Sequence, residues 1–434
     1  MKSNFKIILI VIFMFFMVFG IFVFSGSIPI GGDKGKIVAQ GTVVLWGTVK
    51  NDIMSPLIQE FNNVNTSFTV KYVQKSADNF DRDLLEALAG GVGPDMFLLP
   101  DDLAYSYSNK IFTTPYSSYP LASFKNNYAQ AGDVFLTSKG VLAFPISIDP
   151  LMMYYNRSAL NTNNIVYPPA YWDEFIDLTS LFTIKDSNKQ IAKSAVALGQ
   201  FSNITNAKDI LTTLFMQAGS AIVKEDKGFY RSDLDEFGTN KSENLGPILS
   251  FYTSFADPLK ENYSWNRSLP MSLDFFSAEK TVFYFGFASE LKTLINKNPN
   301  QNLAVAQMPQ IKNVDSSITS ARVTGIAISS FSKNFNTALI AAGLLSSGDF
   351  AQKFSDALGV VPARRDLLAK KPIDDAHTPA FYSSALISKS WLDPSKTDTD
   401  NIFRNMINNV LSNNMTPKEA IVDANGKMHL LLIK

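Results

Sequence analysis

Three carboxylates, Asp101, Asp102 and Asp149, and a set of amides and aromatics follow apolar, strand-like runs in this 434-residue chain. Open α/β sheets hold ligands at the carboxyl ends of their strands, so residues just past such runs are the first candidates for a site. Trp46 closes the run that starts at Gly41, with Lys50 and Asn51 in the next turn. Asp101 and Asp102 follow Phe97-Leu-Leu-Pro100, Asp149 lies four residues after Pro145, and Gln200, Phe201 and Asn203 follow Ala195-Val-Ala-Leu-Gly199. Carboxylates and amides engage hydroxyls at fixed angles, and aromatic faces suit the apolar C–H face of a pyranose. Each residue also has a structural alternative. Trp46 could be core, Asp101 or Asp102 could cap a helix beginning near Leu103, and Asp149 could be a turn residue ahead of Pro150. A carboxylate pair such as Asp101 and Asp149 could in principle run glycoside hydrolysis, a signal that any acidic cleft shares.

Composition removes other chemistries. The chain has no cysteine, which excludes disulfides, thiolate metal sites and thiol catalysis. It has two histidines, His377 and His429, too few and too scattered to suggest a histidine metal site or a Ser-His-Asp triad. No nucleophile elbow is present, so the reading is a non-enzyme with no metal and no cofactor. The 39 basic and 39 acidic side chains balance, and no basic face invites nucleic acid. A hydrophobic content of 46% is ample for packed cores, and the length calls for more than one of them, since single cores stop growing at about 250–300 residues.

The elements that must position these residues alternate. Strand-like and helix-like segments succeed one another through 41–148, which points to an α/β layer architecture with a largely parallel sheet. From about 173 to 300 the pattern is more helical; Asn206 is a plausible N-cap and Gly219 a stop for one helix. Pro168-Pro169 stiffens a turn, and Asp173 and Glu174 favour a helix start just after it. Residues 7–24 are an uninterrupted apolar run behind Lys2 and Lys6. Their length suits an uncleaved transmembrane anchor that leaves the rest of the chain outside; a cleaved signal peptide, with secretion, is the alternative. Segment 1–25 is then the anchor or signal, and 26–40, rich in Gly, Ser and Lys, the linker.

Residues 140–176 carry a Pro145-ended strand, a strand closing on Tyr155-Asn156-Arg157, and Pro168-Pro169-Ala170-Tyr171-Trp172 before an acidic helix start. Pro94-Asp95 after Gly90-Gly91, Gly359-Val-Val-Pro362, and Met415-Thr416-Pro417-Lys418-Glu419-Ala420 follow in a matching order. In these motifs the chain resembles extracellular solute-binding proteins of family 1, the sugar-binding class of ABC importers, over about residues 41–425; Tyr171 stands where that pattern has Thr.

The resemblance implies a two-lobe, type II periplasmic-binding-protein-like fold, with a ligand held in the cleft by hinge closure. It places lobe one at 41–148 plus 323–357 and lobe two at 149–322 plus 358–434. It gives Asp101, Asp102 and Asp149 places near those of ligand-facing acids, and sets Phe285, Gly286 and Phe287 at a ligand-stacking turn, though this apolar run could equally be core. The implied ligand is a small solute, preferably a neutral sugar or oligosaccharide, since Lys50 and Arg322 are the only cations seen near strand ends. The implied partners are ABC transporter permease subunits, and the extracytoplasmic part is expected to be monomeric. An orphan receptor or adhesion module on the same fold, and an anchored hydrolase, are the competing readings.

Overall fold

The computed structural model describes residues 39–433 except 227, 236–240, 315 and 374. The apolar run 7–24 and all but the last two residues of the 26–40 spacer lie outside the described residues. Among the described residues no helix is long and apolar enough to cross a membrane.

An eleven-stranded mixed sheet organises the chain. Its strands are β1 (Thr42–Gly47), β2 (Thr69–Gln74), β3 (Met96–Pro100), β4 (Ala143–Asn156), β5 (Ile184–Lys185), β6 (Ile191–Val196), β7 (Thr281–Phe287), β8 (Leu303–Ala306), β9 (Thr319–Ile328), β10 (Val361–Pro362) and β11 (Ser388–Lys389). The main path runs β2-β1-β3-β9-β4-β7-β6-β5; β8 and β10 pair with β4, and β11 pairs with β9. The opening unit is parallel, β1 lying between β2 and β3. The expectation of a largely parallel sheet is nevertheless corrected: β9 runs antiparallel to β3 and to β4, and β4 runs antiparallel to β7, β8 and β10. The strands that carry the chain from one half of the molecule to the other oppose their neighbours, a feature that local hydrophobic pattern does not encode.

β4 is the pivot of this arrangement. Its residues Ala143–Pro150 pair with β9, and Leu151–Tyr155 pair with β7. Apart from Asp149 every one of its fourteen residues is buried, as expected of a strand covered on both faces. Leu151, Met153 and Tyr155 enter a large core built on β6, β7 and the helices Ala207–Gln217 and Lys396–Leu411. Met152 and Tyr154 point to a second cluster that also holds Phe97, Tyr107 and Tyr284, the alternation of side chains expected along a strand. Phe144 and Ile146 join a third cluster, under the helices Asn51–Val64, Phe335–Leu345 and Gly348–Leu358. On one face the strand therefore passes from the third cluster to the first at Asp149-Pro150, while on the other Ile148, Met152 and Tyr154 all stay in the second.

Local rules explain the supporting elements. The helix Glu174–Phe182 starts just after the Pro168-Pro169 turn, and Trp172 is buried beside Phe175 and Phe285, its Nε1 donating to Gln217 Oε1 at 2.7 Å. The helix Pro417–Leu432 opens on a capping box: Glu419 N donates to Thr416 Oγ1 and Thr416 N to Glu419 Oε2. Asn206 does precede the helix Ala207–Gln217, but its side chain makes no capping bond; its Nδ2 donates instead to Phe285 O and Glu290 Oε1. Gly199 turns the chain after β6 with φ +90°, and a Cβ there would lie 2.6 Å from Ala256 N. Gly199→Ala should therefore cost more than about 1 kcal/mol in urea denaturation, because both conformation and space forbid the methyl; an unchanged midpoint would show that this turn yields freely.

Candidate functional site

A cavity of about 240 Å³ opens where the cores meet. Asp101 and Asp102 reach it from the end of β3, Phe201 from the loop after β6, and Lys208 and Asp209 from the first turn of the helix Ala207–Gln217. Ser320, Ala321 and Arg322 line it from β9, Ser390 and Trp391 from the segment after β11, and Asp393, Lys396 and Asp400 from the segment and helix that follow. Trp391 also borders a neighbouring groove of about 700 Å³, which reaches Asp133, Gln217 and Tyr230.

The polar groups are held in place by one another. Asp101 is buried and accepts a hydrogen bond from Ser390 Oγ. Its carboxyl is pushed up to about 7, chiefly by burial and then by the neighbouring Asp102, against opposing help from Ser390, the Val323 backbone and Arg322. Asp149 sits opposite Arg322 in the β4–β9 register. It accepts from Ser289 N at 3.0 Å and Ser289 Oγ at 2.6 Å. Burial pushes it up to about 6, while Ser289 and Arg322 pull the other way.

The cations are distributed among these acids. Lys208 reaches Asp393 at 3.0 Å and Asp400 at 2.6 Å; burial works against its charge, yet the two carboxylates raise its pKa on balance. Lys396 pairs with Asp102 at 2.9 Å. The Arg322 guanidinium lies 3.7 Å from the centroid of the Phe287 ring and 3.5 Å from Asp209 Oδ2. Among the described residues no group of three or more His, Asp or Glu is arranged to hold a metal ion.

The structure brings Asp101, Asp102 and Phe201 together in this cavity, with Asp149 and Phe287 beside it through Arg322. Other residues singled out in the sequence go elsewhere. Trp46 is half-buried with Lys75 Nζ 3.7 Å over its ring. Lys50 is exposed and occupies the N-cap of the helix Asn51–Val64, where Asn51 N donates to Gln74 Oε1. Gln200 is buried and faces a separate groove, its carbonyl accepting from Tyr252 Oη. Asn203 is consumed structurally: its Nδ2 donates to the carbonyls of Asn266 and Leu269, and its Oδ1 accepts from Trp265 Nε1. Phe285 packs in the core against Trp172 and Phe175. Gly286 admits the Glu290 carboxylate, since a Cβ there would meet Tyr284 and Glu290 Oε2.

Sequence reasoning left out Lys208, Asp209, Ser390, Trp391 and Lys396 as site residues, and treated Arg322 only as a nearby cation. Arg322 had a readable signal, being the one charge in the otherwise uncharged run Thr319–Ile328. Trp391 lies two residues past the short strand Ser388–Lys389, whereas Trp46 drew attention because it closes a strand-like run.

The family model of bacterial extracellular solute-binding proteins matches residues 47–359. A search of curated proteins finds no match. Among solved structures, a cyclo/maltodextrin-binding protein complexed with maltotetraose is similar with TM-score 0.73 and 19% identity, covering 91% of this chain and 97% of that one. A cyclic α-maltosyl-1,6-maltose binding protein from Arthrobacter globiformis gives TM-score 0.71 at 13% identity, covering 90% and 98%. The maltose-binding periplasmic protein of Listeria monocytogenes in complex with maltose gives 0.66 at 17%, covering 90% and 97%. The shared fold is the α/β two-lobe solute-binding fold.

The raised Asp101 has a measurable consequence. Its folded value, about 7, stands above the ordinary carboxylate value of 3.8, so the folded chain keeps a proton that the unfolded chain has released. Stability from this group is therefore lost as pH rises between these two values. Asp101→Asn removes the effect, and its melting temperature should fall less between pH 5 and pH 8 than that of the unmodified protein; parallel pH profiles would contradict the assignment.

Proposed function

The chain belongs to the bacterial extracellular solute-binding protein family, and we propose that it captures a neutral sugar or oligosaccharide in the cavity between its lobes and delivers it to an ABC importer. The observation that carries this reading is the cavity itself. Hydroxyl-binding acids at strand ends, Asp101 and Asp102, face the aromatic side chains Phe201 and Trp391 across a space bordered by both halves of the molecule. A hydroxyl can donate to the acids while a pyranose face lies on a ring. Lobe one comprises about 41–148 plus 323–357 and lobe two about 149–322 plus 358–434, a division supported by the change of sheet partner, and of the cluster on one face of β4, at Asp149-Pro150. Closure about β4 and β9 lets one ligand touch both lobes, which is what binding must do to favour the closed state. The apolar run 7–24 tethers the protein beside its transporter, raising the effective concentration of loaded lobes there.

The test is a thermal-shift screen of the full chain, in a detergent without a sugar headgroup, against mono- and oligosaccharides, polyols, peptides and sugar phosphates. A neutral sugar at about 100 times its Kd should raise the melting temperature by roughly 3 °C. Phe201→Ala and Trp391→Ala should abolish the shift, over and above the loss of unliganded melting temperature that removing a ring packed on the core brings. No response to any sugar would favour a module that recognises a polymer or a protein.

A further inference from the structure

The charge of the cavity converges on Arg322. Its guanidinium lies over the Phe287 ring, 3.7 Å from the centroid, a contact that restrains the fork. Among the described residues its one hydrogen bond is the 3.5 Å contact from Nη2 to Asp209 Oδ2, so most of its five N–H donors are uncommitted. The side chain is half exposed and lines the cavity. Lys208 and Lys396, by contrast, are engaged by Asp393, Asp400 and Asp102. Burial disfavours the guanidinium charge, but Asp209, Asp149, Glu290 and Asp101 together hold it above its ordinary value. The cavity thus offers a planar donor fork ringed by acceptors.

We propose that Arg322 is a specificity-determining residue of the cleft, its fork donating to two adjacent hydroxyl oxygens of a neutral sugar while the flanking carboxylates accept from hydroxyls and exclude anionic sugars. This rests on the sugar-binding reading above. A hydroxyl donates and accepts, so a vicinal diol satisfies both parts of the arrangement at once. A uronate or sugar phosphate would gain the fork but face Asp102 and Asp209 in the same small space, where like charges repel.

The experiment is calorimetric titration of the full-length protein with glucose, maltose and maltotetraose, and with glucuronate and glucose 6-phosphate. At least one neutral sugar should bind, and the two anions at least 100-fold more weakly. Arg322→Gln and Arg322→Lys should each weaken neutral-sugar binding by about 10- to 100-fold, the range of a charged hydrogen bond, with melting temperatures kept near that of the parent. Lysine keeps the charge but lacks the fork, so binding by Arg322→Lys within twofold of the parent overturns the proposal. So does equal or tighter binding of the anions, or a fall in melting temperature in both variants with affinity unchanged, which would mark a purely structural arginine. A folded parent that binds none of the neutral sugars defeats the sugar reading and this proposal with it, whereas a parent that binds and variants that bind equally defeat this proposal alone.

Discussion

β4 must be buried along its whole length and must also change partners half-way, and the rest of the structure follows from that constraint. Its first half is hydrogen-bonded to β9 and its second half to β7, and the change falls at Asp149-Pro150. Proline has no backbone N–H to give, so the ladder is thinnest at the point where β4 exchanges one partner strand for the other. Asp149 is the one β4 residue that is not fully buried, and its register partner is Arg322. The change of sheet partner and this register pair therefore occupy the same place, with a polar cavity beside them.

Taking carboxylates out of water is unfavourable, and this cavity tolerates several because nearly every one has a partner. Asp102 has Lys396, Asp393 and Asp400 share Lys208, and Asp149 has both donors of Ser289. Asp101 depends mainly on a hydroxyl, Ser390, and is the group most readily protonated. The supporting acid Glu290 is fixed by Asn206, by the Phe287 N–H and by the Tyr284 hydroxyl, which is why the backbone at Gly286 must leave it room. Such mutual bracing keeps side chains in place before a ligand arrives, which lowers the entropic cost of binding.

Much of this was legible in the sequence because strand ends are marked by local pattern. Asp101, Asp102 and Phe201 follow apolar runs and do reach the cavity. Asn203 follows a run of the same kind, yet its amide is spent on Trp265, Asn266 and Leu269, more than sixty residues away in the chain. No local signal reveals that capture. Phe283, Phe285 and Phe287 alternate in one strand, but the pattern cannot say which is pinned by Trp172 and which lies beneath an arginine. The direction of β9 was also hidden, since antiparallel crossing depends on how the halves assemble rather than on the strand's own residues. Lys208 and Lys396 were missed for the same reason: their meaning comes from acids brought to them by the fold.

The absence of cysteine makes the central claim, closure of two lobes about β4 and β9, directly measurable. Cysteines placed at Val64, 82% exposed on one lobe, and Leu259, 93% exposed on the other, would carry a dye pair without competing thiols. Single-molecule energy transfer should then show the distance shortening as a bound neutral sugar such as maltotetraose saturates the protein. An unchanged distance at saturation, with binding verified by calorimetry on the same labelled sample, would contradict the account.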